Sequence, residues 1–227
     1  MSSLADSANF IADYEKLKAV SLNPERHTAD NAHDHCERVR AKALHLASLN
    51  NCTDREAALL QQLAYLHDIG KIEGTAKPAK SVELLPRYGI EDPDMINPVK
   101  YHDTNLLWYI AVNKGQEPGD NAWRRLAKQV DMRLLCLFMV ADRVDCPGGW
   151  RGNAPLNWFL REAERRKLVK IWYWTMADKR LKAKPVQEIR ELSIDMLIYD
   201  FLNNPESWTL DRRSKTRRRK FSRARKL

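Results

Sequence analysis

The chain has 227 residues, 44% of them hydrophobic, which is enough for one sizeable buried core. With only 8 Gly and 10 Pro and few β-branched runs, the composition argues against a sandwich or barrel. The net charge of +9 resides in residues 211–227, where ten Lys/Arg face one Asp, and the rest is balanced at 29 of each sign.

Taken in chain order, apolar residues recur at helical spacing almost throughout. Helices are expected over residues 8–20 and 28–49, the second carrying Cys36, Val39, Ala43 and Leu46 on one face. Thr53 or Asp54 can cap a third helix ending at Leu66, with Leu59, Leu63 and Leu66 as its stripe and Gly70 supporting its termination. Shorter helices are expected over 81–88, 93–101 and 105–113. KGQEPGD is a loop, after which Asp120 caps a helix reaching Val130. Asp131 caps the most apolar helix of the chain, through about Val144, and CPGGWRGNAP is again a loop. Two last helices are expected, one from Leu156 and one over 185–202. With no credible strand, the expected class is all-α: a helical bundle over residues 1–210, followed by a basic tail at 211–227.

The longest apolar run, LLCLFMVA, is far too short to span a bilayer, so no membrane partner is expected. MSSLADSANF lacks the basic-then-apolar layout of a signal peptide. The four cysteines form no CxxC pair and read as reduced thiols of an intracellular, cytoplasmic protein, with a disulfide as the lesser alternative. The basic block repels itself and invites a polyanion; phosphate backbones of a nucleic acid or ribonucleoprotein are the expected partner, with a solubilising or targeting role as the plainer reading.

Four polar residues stand where the period calls for Leu or Val. His35 shares a face with Val39 and Ala43, and His67 continues the stripe of Leu59 and Leu63. Asp68 adjoins His67, and Asp142 follows Leu135 and Phe138 on the most apolar helix. An unpaired buried carboxylate costs several kcal/mol or neutralises itself. Singly, each has a bland explanation: a hydrogen-bonded core histidine, a helix-end polar pair, an Asp142–Arg143 pair. Jointly, two imidazoles and two carboxylates suggest a shared divalent cation, which takes neutral nitrogens and carboxylate oxygens together.

The order His35, His67-Asp68, Asp142 resembles the HD-domain superfamily of metal-dependent phosphohydrolases. HCERVRAKALHLA is similar to that family's first metal helix, where His is followed three residues on by Arg and then Val; LAYLHDIGK resembles its central motif almost letter for letter, and MVADRVD its final aspartate helix. The resemblance spans about Asn31 to Asp145. It implies an all-α fold, an enzyme that hydrolyses a phosphate ester or anhydride, commonly of a nucleotide or nucleic acid, and His35, His67, Asp68 and Asp142 as metal ligands. His33 competes for the first place but lacks the Arg-Val offset of His35. The implied cofactor is one divalent ion, with Mn, Fe, Co, Ni, Zn and Mg all open.

The resemblance further implies that Asp68 orients water and that Lys71 contacts the substrate phosphate, a position that also suits a solvated lysine at a helix end. His102, in NPVKYHD, corresponds to a cleft histidine that binds phosphate, protonates the leaving oxygen or ligates a second metal. Members with two metals usually carry another His near Lys80; its absence favours one metal. A Glu that serves as base in some nucleotidases is replaced by Lys71, with Glu73 two residues further on. Arg38 and Arg143 are cleft candidates that also suit exposed faces. The segment from Trp123 to Pro155 is similar to the HD portion of bacterial tRNA nucleotidyltransferases, without their nucleotidyltransferase half. Of Trp108, Trp150, Trp158, Trp172 and Trp174, most read as core, and Trp150 as the candidate for stacking on a base. The competing class is an RNA or ribonucleoprotein binding protein with an HD fold and an inactive or structural metal site.

Overall fold

The computed structural model describes Leu4, residues 7–171 and residues 198–200. The described residues are predominantly helical: α1 (Ala8–Lys16), α2 (Ala32–Leu49), α3 (Asp54–Leu66), α4 (Pro78–Leu84), α5 (Pro93–Tyr101), α6 (Thr104–Val112), α7 (Asp120–Gln129), α8 (Met132–Asp142) and α9 (Ala154–Arg165). The all-α class is as expected from the sequence.

The helix starts follow their capping chemistry. Asn31 accepts from the Asp34 amide, Asp131 from Leu134 and Asn153 from Leu156, each at 2.9 Å. Thr53 and Glu56 form a reciprocal capping box at the start of α3. α8 is buried from Leu135 through Asp142, on all its faces, so it is the central helix. It packs against α2, α3 and α9, while α2 and α3 pack on each other. Burial of side chains such as Phe138, Leu137 and Leu66 stabilises this centre by roughly 1.5–3 kcal/mol each.

Several boundaries differ from the sequence reading. The first helix leaves α geometry at Lys16 and continues as a 3-10 turn, Leu17–Ala19. α2 begins at Ala32, not at residue 28, because the preceding loop is held flat: Ser21 bridges Asn31, and the Ala32 amide donates to Val20 at 2.9 Å. The helix expected over 81–88 starts earlier, at Pro78, where a missing N–H costs nothing, and tightens into a 3-10 turn at Leu85–Tyr88. α8 stops at Asp142. Ile198–Asp200 does not continue a helix; it pairs antiparallel with Val169–Ile171 as two short strands, β1 and β2. Their β-branched and aromatic residues suit a strand. The rest of that expected helix lies outside the described residues, as do Trp172, Trp174 and the basic tail at 211–227.

Gly70 does not act as a helix cap. α3 ends at Leu66, and the chain continues through the 3-10 turn Ile69–Glu73 to Gly74, whose φ of 74° is the left-handed stop. Gly70 is instead a point of contact. A Cβ there would lie 2.4 Å from the Ser81 nitrogen and 2.6 Å from the Lys80 carbonyl carbon, so only glycine lets α4 lie against the turn after His67.

Cys36, Cys52, Cys136 and Cys146 are free thiols. No helix among the described residues is long and apolar enough to cross a membrane.

Candidate metal centre

Three helices deliver their C-terminal residues to one buried place. His67 is the C-cap of α3, His102 the C-cap of α5, and Asp142 the last residue of α8; His35 comes from the first turn of α2. His35, His67, Asp68, His102 and Asp142 are all buried.

The four positions singled out as ligands converge. His35 Nε2 lies 3.3 Å from His67 Nε2, 3.2 Å from Asp142 Oδ1 and 3.5 Å from Asp68 Oδ2. His67 Nε2 lies 3.4 Å from Asp68 Oδ2 and 3.5 Å from Asp142 Oδ1. Donor atoms about 2.1 Å from a common ion stand about 3.0 Å apart at octahedral angles and about 3.4 Å apart at tetrahedral ones. The spacing therefore fits a shared cation.

The hydrogen-bond partners fix which nitrogens face inward. His67 Nδ1–H donates to the Ala64 carbonyl at 3.0 Å, and His102 Nδ1–H to the Val99 carbonyl at 2.7 Å. Both carbonyls belong to the last helical turn, where acceptors lack intrahelical partners. His35 Nδ1–H donates to Asp145 Oδ2 at 3.2 Å. A carbonyl or carboxylate can only accept, so in each ring, when it is neutral, Nε2 is the nitrogen with the free lone pair. Around the centre stand two such nitrogens and two carboxylate oxygens, all acceptors. A single proton satisfies one pair of them, whereas a divalent cation could be shared by His35, His67 and Asp68 at once.

The electrostatics agree. Burial disfavours a charged His67, but Asp68 and Asp142 outweigh it and push its pKa up to about 10. Burial likewise opposes charge on His35, which Asp142 and Asp145 reverse. Burial raises the carboxyls of Asp68 and Asp142, yet cationic neighbours hold both well below the usual range: His67 and Lys71 for Asp68, Arg143 for Asp142. The pocket of acceptors thus strongly favours positive charge. His35, His67 and Asp68 form a group that could hold a metal ion.

The remaining expected residues sort as follows. Lys71 is mostly buried and its ammonium sits on Asp68 Oδ2 at 2.6 Å, so it is not a solvated lysine. His102 stacks edge-on against His67, with ring centroids 5.2 Å apart, and belongs to the wall of the centre. His33 lies outside, with Nδ1 3.3 Å from Asp34 and its ring against Tyr14. Lys80 pairs with Glu83, and Glu73 is exposed. Trp150 is half-buried against the core, and Trp108 and Trp158 surround Trp123 in an aromatic cluster.

Arg143 is not on an exposed face. It is largely buried, with Nη1 on Asp142 Oδ2 and Nη2 on Asp103 Oδ1 at 3.0 Å, and so ties α8 to the end of α5. Arg38 is half-exposed and binds Asp145 at 2.9 Å. Sequence reasoning missed Asp145, His27 and Thr28, which gather behind His35. The available signal was the three-residue spacing of Asp142 and Asp145, which returns both to one side of the chain end.

A cavity of about 340 Å³ lies elsewhere, lined by residues such as Leu59, Leu63, Met95, Pro98 and Leu134 from α3, α5 and α8. It contains no histidine, and of its acids Glu56 and Asp94 are paired with Arg133 and Arg55 while Asp131 caps α8.

No protein-family model matches the chain, and no curated protein or solved structure matches it.

Proposed function

We propose that this protein is a metal-dependent phosphohydrolase of the HD type, acting on a phosphate ester or anhydride of a nucleotide or of an RNA end. The observation that carries the reading is the pair of imidazole nitrogens, His35 Nε2 and His67 Nε2, facing each other at 3.3 Å with Asp142 Oδ1 and Asp68 Oδ2 beside them. The sequence resemblance through HCERVR, LHDIGK and MVADRVD supports the same assignment.

On this reading His35, His67, Asp68 and Asp142 hold one divalent cation. The bound ion supplies charge neutralisation for a phosphoryl group and acidity to water. Lys71 and Arg143 bring two further positive charges to the same wall, suited to a phosphate. His102, held through Nδ1 by the Val99 carbonyl, offers Nε2 to hold or give a proton at the leaving oxygen. The basic residues of 211–227 bring the protein to a nucleic acid or ribonucleoprotein.

A second reading has its own observation. Lys71 on Asp68 and Arg143 on Asp142 already balance both carboxylates within the chain. That suits a structural polar centre in a protein whose work is binding RNA.

One experiment separates the two. Metal content of the purified protein is measured beside phosphate release from nucleoside mono-, di- and triphosphates and from RNA ends, with Mn²⁺, Co²⁺, Ni²⁺ or Mg²⁺ added, for wild type and Asp68→Ala. Metal-dependent release by the wild type alone supports the enzyme. A wild type that holds metal and hydrolyses nothing on the panel defeats it.

A further inference from the structure

Asp142 and Asp145 leave the end of α8 three residues apart, and both are buried. They approach His35 from opposite sides of its ring. Asp142 Oδ1 faces Nε2 at 3.2 Å, and Asp145 Oδ2 takes the proton of Nδ1 at 3.2 Å.

Asp145 is itself firmly held. Its Oδ1 accepts the Thr28 hydroxyl at 2.6 Å and an Arg38 N–H at 2.9 Å, and its backbone carbonyl accepts the Thr28 amide at 2.8 Å. His27 Nδ1 lies 3.5 Å from Oδ2, beyond a good hydrogen bond, and the His27 ring stands 5.0 Å from the His35 ring. His27, His35 and Asp145 also fall within the spacing of a metal group. Two facts oppose a second ion there: Arg38 already places a cation on Asp145, and His35 Nδ1 carries a proton.

We infer that Asp145 is a positioning residue for the centre: by accepting from His35 Nδ1, it keeps the free lone pair on Nε2, aimed at the cation site. This rests on the metal reading of the centre given above. An imidazole has one proton in its neutral form, and the nitrogen that carries it cannot ligate. A carboxylate behind Nδ1 therefore selects the ligating tautomer and fixes the ring plane. Thr28 and Arg38 act one step further out, locking the carboxylate's other oxygen.

The test is Asp145→Asn in the full chain. Thr28 and Arg38 both donate to one oxygen, so the oxygen that remains stays with them. The new amide N–H group turns towards His35, which must then accept at Nδ1 and carry its proton at Nε2. Two readouts follow. Chelator competition with Zn²⁺ and with Mn²⁺ should show affinity about 10- to 100-fold weaker than wild type. In proton NMR the His35 Nδ1–H resonance, shifted downfield by its carboxylate acceptor, should be present in wild type, zinc-loaded or metal-free, and absent in the variant.

Unchanged affinity together with a retained resonance overturns the inference while leaving the metal centre standing. A wild type that binds neither metal removes the proposed function, and the resonance still decides whether Asp145 sets the tautomer. Should Asp145→Asn fail to fold, Thr28→Val removes a single donor to the carboxylate. It should weaken zinc binding several-fold with little change in melting temperature, and wild-type affinity in that variant overturns the inference.

Discussion

The Ser81 hydroxyl donates to the carbonyl of His67 at 2.7 Å, and the same oxygen accepts the Gly70 amide at 3.0 Å. One side chain of α4 thereby closes the turn that follows His67 and sets where Asp68 and Lys71 emerge. The contact requires a bare backbone at Gly70.

Gly70→Ala is expected to separate α4 from this turn. The clashing atoms are backbone, which no rotamer change relieves. The expected cost is about 1–3 kcal/mol, read as a lower melting temperature, together with reduced metal content because His67 and Asp68 shift. Ser81→Ala leaves a buried amide and carbonyl without partners and should cost about 1–3 kcal/mol by denaturant titration.

Metal and fold should be linked. A cation that binds only the folded chain adds about 2.7 kcal/mol at a concentration 100 times its dissociation constant. Melting curves of wild type should rise with Mn²⁺ or Zn²⁺ and fall with EDTA. His67→Ala and Asp142→Ala should show no such difference and carry no metal after purification. Asp142→Ala should also melt lower than His67→Ala, since it leaves the buried Arg143 guanidinium with Asp103 as its one remaining carboxylate partner among the described residues.

Away from the centre, Asp13 provides a pH prediction. It is fully buried and binds Lys16 at 2.7 Å, the Tyr88 hydroxyl at 3.0 Å and Arg87 at 3.3 Å. Burial raises its pKa, but these partners together pull it below the ordinary value. A carboxyl with a lowered folded pKa stabilises the fold above its unfolded value of about 3.9 and loses that contribution as pH falls through the folded value. Asp13→Asn should therefore be less stable than wild type at neutral pH, and the gap should narrow on acidification below about pH 4. A constant gap from pH 7 to pH 2 would refute this.

The basic residues of 211–227 predict a salt-dependent affinity. Deleting residues 211–227 should lower the log–log salt slope of single-stranded RNA binding by up to about 7, for ten basic side chains. Hydrolysis of a small nucleotide should be unchanged. Equal RNA affinity with and without the segment would rule out its role.

His35, His67 and Asp142 could be read from the sequence because each interrupts an apolar stripe whose period is plain. Asp145 is harder to read, since it follows the end of α8, where a polar residue needs no explanation, and only its three-residue spacing from Asp142 points to it. For Arg143 the sequence leaves both a cleft place and an exposed face open: helical period places it off the apolar face, yet two acids from different elements, Asp142 and Asp103, draw it inward. Gly70 looked like a helix stop because glycine usually is one after an apolar run; the real cause, a neighbour 11 residues later in the chain, has no local signature. Helices with strong caps, such as α3 with its Thr53–Glu56 box, were located to within a residue, whereas the loop before α2 depends on a bridge between Ser21 and Asn31.

The histidines at the ends of α3 and α5 give their Nδ1 protons to carbonyls three residues back, in the helix they terminate. Such a proton is placed as soon as the last turn closes, by local chain geometry alone. For these two rings, the acceptor that selects the protonated nitrogen lies in the ring's own helix, so the choice needs no partner from elsewhere in the chain. On the proposed metal reading the His67 ring needs no reorientation to bind a cation, which has only to displace the Nε2 proton that Asp68 and Asp142 favour.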